Sequence, residues 1–238
     1  MTVGQAKMFF IILALFPLVI DLSLGLVFSK KQSSPSYLRY AIAFSAGIVI
    51  SAAFLELLPE ANIEANSIYV AAGFFVFYLV EKFTMLHACG EEECEIHSLG
   101  RFAAIGMASD NVIDGIGIAI AYAINPLLGV LVTIAVISHE IPQAVSSAYM
   151  LRSENRSGRE VFLILLLAGV MYPVGAALSL LLSEDMYSPM IAFVAGVFLY
   201  VGAGDLLMEV HRRFNAKIVA TVLLGGLTMV LMELLMGV

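Results

Sequence analysis

Apolar residues occur along this chain of 238 residues in eight long runs, which short polar connections separate. Each run has roughly 20 residues, the length that an α-helix needs to cross the hydrocarbon core of a bilayer. The first run is too long for the core of a signal peptide and lacks a convincing small-residue cleavage site, so we interpret it as a helix. The pattern therefore predicts eight transmembrane helices, at 8–28, 40–58, 68–86, 101–124, 127–151, 161–182, 189–208 and 218–236.

Composition favours the same fold class. Hydrophobic residues make up 61% of the chain and charged residues only 13%, which is too apolar for a soluble domain of this length. Two cysteines are too few for a disulfide framework. We therefore predict an all-α integral membrane protein, a single polytopic domain over residues 1–238 that contacts membrane lipid. We expect no nucleic-acid partner.

The connections differ in charge on the two sides of the predicted membrane. All of the twelve Lys and Arg residues except Lys7 fall in, or at the edges of, the first, third, fifth and seventh connections. Connections on the other side carry acidic residues, such as Glu60 and Glu184. Because basic loops stay in the cytoplasm, this asymmetry predicts that both termini are extracytoplasmic. The predicted location is the cell membrane, which means the plasma membrane or, in a eukaryote, an internal membrane.

The third connection, residues 87–100, combines metal-binding residue types with acidic ones. Two Cys, two His and four Glu fall within residues 87–97. Thiols stay reduced in the cytoplasm, where they can bind a borderline-soft cation such as Zn²⁺. The C-x4-C spacing is not among the well-attested zinc spacings, so a solvated acidic loop without a metal is the alternative. The candidate ligands in this loop are His87, Cys89, Cys94 and His97.

Two neighbouring spans, the fourth and the fifth, carry polar side chains near their centres, where a membrane helix tolerates them least. In each span these residues stand at positions i, i+1 and i+4, so the first and the last share a helix face. A tight turn at Asn125-Pro126 makes the two helices antiparallel, and a rise of ~1.5 Å per residue puts both clusters near mid-bilayer. We therefore predict one site between the two spans. Its residues are Asp110, Asn111, Asp114, His139, Glu140 and Gln143.

Burying these carboxylates in a bilayer is costly. One carboxylate at the bilayer centre costs ~2.5 to 3.5 kcal/mol, and no Lys or Arg lies at that depth in any predicted span. Protons, water in a cavity or a bound cation remain as compensating partners. Carboxylate, amide and imidazole groups are all ligands for divalent metals, so we interpret the cluster as a metal path. Pro142 frees the carbonyl of Ser138, which would give the site one more oxygen.

Three other interpretations start from the same residues. A polar network can join helices without binding a metal, although Ser, Thr or a lone Asn is the usual choice. Residues 139–143 are one residue short of the H-E-x-x-H motif of zinc proteases, but Gln143 supplies no imidazole, so we predict no enzyme. The polar cluster on the preceding helix has no place in a protease site either. The third alternative is a metal-regulated membrane protein that binds metal without conducting it.

The two clusters also resemble a known pair of motifs. Asp-Asn-Val-Ile-Asp-Gly at 110–115 and His-Glu-Ile-Pro-Gln at 139–143 are similar to the paired signature of the ZIP family of divalent metal transporters. Residues 44–60, 172–176 and 198–209 resemble the second, sixth and seventh helices of that family. The resemblance implies transport of Zn²⁺, and also of Fe²⁺, Mn²⁺ or Cd²⁺, into the cytoplasm without a catalytic cofactor. It further implies a homodimer, in which helices one, four, five and six move against a scaffold of helices two, three, seven and eight.

The resemblance assigns the six candidate ligands to two adjoining metal sites. The first site contains Asp110, Asp114, His139 and Gln143, and the second contains Asn111, Asp114, Glu140 and Gln143. Three departures from the family pattern change the expectation. Asp110 replaces the usual His, which moves the site toward harder ions. Gln143 stands where a His or Glu is common, and Tyr172 stands where some bacterial members have a Glu. The loss of these bridging carboxylates argues against two metal ions bound together.

Overall fold

The computed structural model describes residues 3–28, 37–88, 99–210 and 215–236, and these residues form helices without any strand. Within these ranges, seven helices are long and apolar enough to cross a membrane, and the first helix adds a shorter apolar stretch, Phe9–Gly25. The predicted fold class, an all-helical multi-pass membrane protein, is thereby confirmed. The helices are α1 (Val3–Phe28), α2 (Leu38–Glu60), α3 (Ile63–Ala88), α4 (Leu99–Ile124), α5 (Pro126–Ser153), α6 (Gly158–Leu181), α7 (Glu184–Val210) and α8 (Ala216–Met236).

The turn between α4 and α5 is encoded locally. The side chain of Asn125 accepts a hydrogen bond of 2.9 Å from the backbone N–H of Leu127, and Pro126 occupies the first helical position, where its missing N–H costs nothing. This short connection brings α4 and α5 together as antiparallel neighbours. α2 and α7 each contain a π-helical segment, at Ala53–Leu57 and Tyr200–Leu206, so their side chains change direction part-way along the helix.

Small residues let three pairs of helices pack at backbone distance. Between α4 and α6, a Cβ atom at Gly115 would overlap the carbonyl oxygen of Tyr172, and one at Gly175 would overlap that of Val112. α2 meets α8 in the same way, and α3 meets α7. Because lipid gives helices no hydrophobic reason to associate, such close contacts are a main source of packing energy in a membrane. The α4–α6 contact lies directly beside Asp114 and so fixes the position of the predicted site.

The helices differ strongly in how much of each is buried. Only 17% of the most apolar stretch of α3 is buried, and the same holds for α8, whereas the value for α5 is 67%. The outer faces of α3 and α8 therefore suit contact with lipid or with another copy of the chain. α5 is enclosed by α1, α2, α4 and α6. The helix that carries half of the predicted site is thus the most deeply buried of the seven long helices.

Candidate metal centre

α4 and α5 bring four of the six predicted ligands together. The carboxylates of Asp110, Asp114 and Glu140 and the imidazole of His139 offer ligand atoms that all lie within 4.8 Å of one another. Each of these residues is at most 4% exposed. The spacing of four residues on α4 stacks its two carboxylates on one helix face, and that face meets α5. The structure therefore gathers, in one buried place, a set of side chains that could hold a metal ion.

His139 lies at the centre of this cluster. Its Nε2 atom is 3.2 Å from Asp114 Oδ2, 3.4 Å from Glu140 Oε1 and 3.9 Å from Asp110 Oδ2. Its Nδ1 atom lies 3.1 Å from the carbonyl oxygen of Ala135, to which a neutral imidazole donates its Nδ1–H. The Nε2 lone pair then faces three carboxylate oxygens, which repel it unless a proton or a cation lies between them. Histidines that bind metals are held in this way, with the second ring nitrogen on a backbone carbonyl.

Most polar atoms of the cluster have no hydrogen-bond partner among the described residues. This holds for both carboxylate oxygens of Asp114 and of Glu140, for Asp110 Oδ1 and for His139 Nε2. The ion pairs that these carboxylates make in the described ranges are all with His139. Each buried polar atom without a partner costs about 1–3 kcal/mol, and a charged one costs more. A single divalent cation could bind one ligand atom from each of the four residues.

The other two predicted ligands, Asn111 and Gln143, border the cluster. Asn111 is fully buried, and its Nδ2 atom donates a hydrogen bond of 2.9 Å to the carbonyl oxygen of Ala168 on α6. Its Oδ1 atom is left as a buried acceptor without a partner in the described part of the chain. Gln143 is half-buried, one turn after His139, and its amide lies beside the Asp110 carboxylate. Asn111 therefore keeps one oxygen atom available for a metal ion, whereas the amide of Gln143 contacts the carboxylate of Asp110.

The carbonyl oxygen of Ser138, predicted as a further ligand, has another partner. Pro142 has no N–H, so this carbonyl lacks its usual hydrogen bond within the helix. The hydroxyl of Ser45 on α2 donates a hydrogen bond to it. The oxygen that Pro142 releases therefore joins α5 to α2. Because a carbonyl oxygen has two lone pairs, its further role as a ligand of the site stays a prediction.

Asp21 on α1 is a carboxylate that the sequence analysis did not assign to the site. It is fully buried, and neither of its carboxylate oxygens is hydrogen-bonded within the described residues. Its interacting neighbours include Glu140, His139, Asp114 and the hydroxyl of Tyr172. The available signal was its position as the one charged residue of an otherwise apolar span. An ionisable residue within a membrane span usually marks a functional site.

The second predicted metal site, in the connection between α3 and α4, falls outside the described residues. Cys89, Cys94 and His97 belong to residues 89–98, which the structure does not describe, and for His87 only the backbone is described, near the end of α3. Metal binding by this loop stays a prediction.

Comparison with known proteins shows to which family the chain belongs. The model of the ZIP zinc transporter family matches residues 86–233, which is more than half of the chain. The chain belongs to the ZIP family. The zinc transporter ZupT of Chlorobium chlorochromatii (strain CaD3) is 23% identical to it over 87% of this chain and 89% of that protein. The zinc transporter ZIP13 of Pongo abelii is 25% identical over 82% of this chain and 65% of that protein. The metal cation symporter ZIP8 of Rattus norvegicus is 27% identical over 54% of this chain and 28% of that protein.

Membership of the ZIP family supports metal transport, with zinc as the metal that the family description names, and it argues against an enzyme. The matched segment contains α4 and α5 and therefore all six predicted ligands of the central cluster. It does not include α1, so Asp21 lies outside the part of the chain that carries the family match.

Proposed function

We propose that this ZIP family member carries divalent transition-metal ions into the cytoplasm, with Zn²⁺ as the main substrate and Fe²⁺, Mn²⁺ or Cd²⁺ as further ones. The ion binds between α4 and α5, near the middle of the membrane. The observation that supports this most directly is the buried cluster of one imidazole and three carboxylates. Its ligand atoms lie within 4.8 Å of one another, and most of them lack a hydrogen-bond partner in the described ranges.

The distances within the cluster suit Zn²⁺. Zinc binds imidazole nitrogen at about 2.0–2.1 Å and carboxylate oxygen at about 2.0–2.2 Å, so two ligand atoms of a tetrahedral site lie roughly 3.4 Å apart. His139 Nε2 is 3.2 Å from Asp114 Oδ2 and 3.4 Å from Glu140 Oε1. Asp110 Oδ2, at 3.9 Å, needs only a small rotation of its side chain to join them. Little rearrangement is therefore needed to bind zinc.

The two overlapping ligand sets implied by the family resemblance give the ion a path. Asp110, Asp114, His139 and Gln143 form the first set, and Asn111, Asp114, Glu140 and Gln143 form the second. Asp114 and Gln143 belong to both sets, so an ion can move from one set to the other without losing all its ligands. The unpartnered Oδ1 of Asn111 supports its place in the second set.

The predicted orientation supports inward transport. The basic connections mark the cytoplasmic side, where the membrane potential of a cell is negative. A potential of 100 mV is worth about 2.3 kcal/mol for each elementary charge, and so roughly 4.6 kcal/mol for a divalent cation that enters the cytoplasm. The same potential opposes export, so uptake needs no further driving force to concentrate the metal inside.

We further propose a homodimer in the cell membrane, in which α2, α3, α7 and α8 form a stationary scaffold while α1, α4, α5 and α6 carry the metal. The backbone-distance packing of α2 with α8, of α3 with α7 and of α4 with α6 keeps each close pair within one of these two groups. The exposed apolar faces of α3 and α8 offer a surface for the second copy. The hydrogen bond between Ser45 and Ser138 crosses the boundary and must break or shift when the groups move.

Metal uptake by the purified full-length protein in liposomes tests the transport function. Zn²⁺, Fe²⁺, Mn²⁺ or Cd²⁺ is added outside, and the metal that enters is measured against liposomes without protein. We expect Zn²⁺ to accumulate far beyond the binding capacity of the protein itself. Metal that binds to the protein but does not accumulate would instead support the alternative of a metal-regulated membrane protein.

Replacing the four loop residues His87, Cys89, Cys94 and His97 together with Ser should leave basal Zn²⁺ uptake largely unchanged. The proposed transport site lies in α4 and α5, and the loop would act on release or regulation at the cytoplasmic side. Initial rates of uptake at several cytoplasmic-side Zn²⁺ concentrations separate these effects. Complete loss of transport at normal expression would show that the loop belongs to the transport path.

A further inference from the structure

Ser45 of α2 makes a contact between the two groups of helices that move apart in the proposed transport function. Its hydroxyl donates a hydrogen bond to the carbonyl oxygen of Ser138 on α5, one residue before the proposed ligand His139. Ser45 is 2% exposed, so bulk water does not compete for this bond. The carbonyl lacks its helical donor because Pro142 has no N–H. A side chain of the scaffold therefore holds α5 directly beside the metal centre.

Other buried hydroxyl groups of the membrane-spanning helices do not cross between the two groups. Thr133 and Ser179 donate to carbonyl oxygens of their own helices, α5 and α6. The hydroxyl of Ser147 donates to the sulfur of Met107 on α4, so this bond stays among the metal-carrying helices. These three bonds can persist when the metal-carrying helices move as one body. The bond of Ser45 depends on where those helices stand relative to the scaffold.

In this structure the metal centre is open toward the predicted cytoplasmic side. Asp205 of α7 lies near the cytoplasmic end of that helix and is exposed, and its charge interacts with those of Asp110 and His139. Nearer the extracytoplasmic end of α7, the ring of Phe198 packs edge-on against His139, with 6.1 Å between the ring centroids, and is 1% exposed. The bond of Ser45 therefore belongs to the cytoplasm-facing arrangement, from which metal is released.

We propose that Ser45 is a positioning residue, whose hydrogen bond to the Ser138 carbonyl stabilises the cytoplasm-facing arrangement and so limits how often the metal centre faces outward. The inference rests on the proposed transport function and on its two groups of helices. The bond lowers the free energy only of the arrangement in which its two partners meet, so it shifts the population toward that arrangement. One hydrogen bond changes such a population ratio by about fivefold, which corresponds to ~1 kcal/mol.

Initial rates of Zn²⁺ uptake into liposomes, measured over a range of external Zn²⁺ concentrations, give the first test. In Ser45→Ala a larger fraction of the protein presents its metal centre outward. The apparent affinity for external metal rises with that fraction, so we expect the KM for external Zn²⁺ to fall about fivefold. A variant that merely damages the fold or the metal centre does not lower KM. The direction of the change in KM therefore separates positioning from a structural role.

Pulsed electron paramagnetic resonance of the purified full-length protein measures the two arrangements directly. Nitroxide labels are attached at Ser153→Cys on α5 and Lys217→Cys on α8, two exposed positions at the cytoplasmic ends of a metal-carrying and a scaffold helix. Both native cysteines are replaced by Ser. We expect two label-to-label distances, and we expect Ser45→Ala to lower the ratio of the cytoplasm-facing to the outward-facing population about fivefold.

Ser179→Ala is the matched control, because it removes a buried hydroxyl whose bond to Ala176 lies within α6. It should keep the wild-type KM and the wild-type populations. Wild-type values of both quantities in Ser45→Ala overturn the proposal, and so does an equal change in Ser179→Ala. If Ser45→Ala leaves the populations unchanged while Zn²⁺ accumulates in liposomes, the positioning role fails and the transport function stands. A shift of the populations in a protein that accumulates no Zn²⁺ overturns the transport function and leaves the stabilising bond in place.

Discussion

We expect Asp114→Asn to abolish Zn²⁺ uptake, with an initial rate at least about 100-fold below that of the wild type, which corresponds to ~2.8 kcal/mol of lost ion binding. Asp114 Oδ2 makes the shortest contact of the cluster, 3.2 Å from His139 Nε2. Asp114 also belongs to both proposed ligand sets, so its loss affects every position of the ion along the path. Initial rates in liposomes that contain equal amounts of protein measure the effect.

The substitution separates ligand chemistry from folding. Asn keeps the volume of the side chain, so the close packing of the neighbouring Gly115 against α6 is preserved. Removing a buried charge also does not hinder insertion into the membrane. Ser109→Ala on the same helix is the control, because that hydroxyl donates only to the Ile105 carbonyl within α4, and we expect uptake at the wild-type rate. Near-wild-type uptake by Asp114→Asn would contradict its role as a ligand.

The cluster between α4 and α5 can be predicted from the sequence because its geometry is local. Side chains four residues apart on a helix share a face, so Asp110 and Asp114 must point the same way. The short turn at Asn125 leaves little freedom in how far α5 runs back along α4. Spacing along the chain is therefore enough to bring Asp114 close to His139. The apolar runs predict the all-helical fold for a similar reason, since the length of each run is set by the bilayer.

The position of Asp21 depends instead on tertiary packing. α1 is joined to α2, but it contacts α4, α5 and α6, so no short connection sets its rotation or its depth relative to them. Gly169 makes room for Leu18 of α1, because a Cβ atom there would lie 2.7 Å from Leu18 Cδ1, and it cannot be told from other glycines of the chain by its sequence context. A lone charged residue in an apolar span indicates that it has an interaction partner, but not which residue that partner is. Only the assembled helices show that the partner region is the one around Glu140.

The hydrogen bond to the Ser138 carbonyl likewise has one part that the sequence predicts and one part that depends on how distant helices pack. The rule for proline correctly predicts that Pro142 leaves this carbonyl without its helical donor. It does not predict which group takes the place of that donor. The hydroxyl of Ser45 on α2 does so, through a contact between helices that are distant in the sequence.

Asp110→His should raise the ratio of Zn²⁺ to Mn²⁺ uptake about tenfold, which corresponds to ~1.4 kcal/mol of difference between the two metals. Asp110 Oδ2 lies 3.9 Å from His139 Nε2, so an imidazole at position 110 can reach the same ion. Imidazole nitrogen favours Zn²⁺, whereas carboxylate oxygen is comparatively better for Mn²⁺. Competition between the two metals in the same liposomes measures the ratio directly. The ratio is preferable to the rate, because uptake slows if the site binds zinc too tightly to release it.

Asp110→Asn distinguishes the effect of the imidazole from the effect of charge. Both substitutions remove one negative charge from the cluster, which weakens the attraction for every divalent cation alike. Only His adds a nitrogen ligand, so we expect Asp110→Asn to slow the uptake of both metals and to leave their ratio near the wild-type value. An equal change of the ratio in both variants would mean that position 110 acts through its charge alone. An unchanged ratio in Asp110→His would mean that this side chain does not touch the ion in the step that selects the metal.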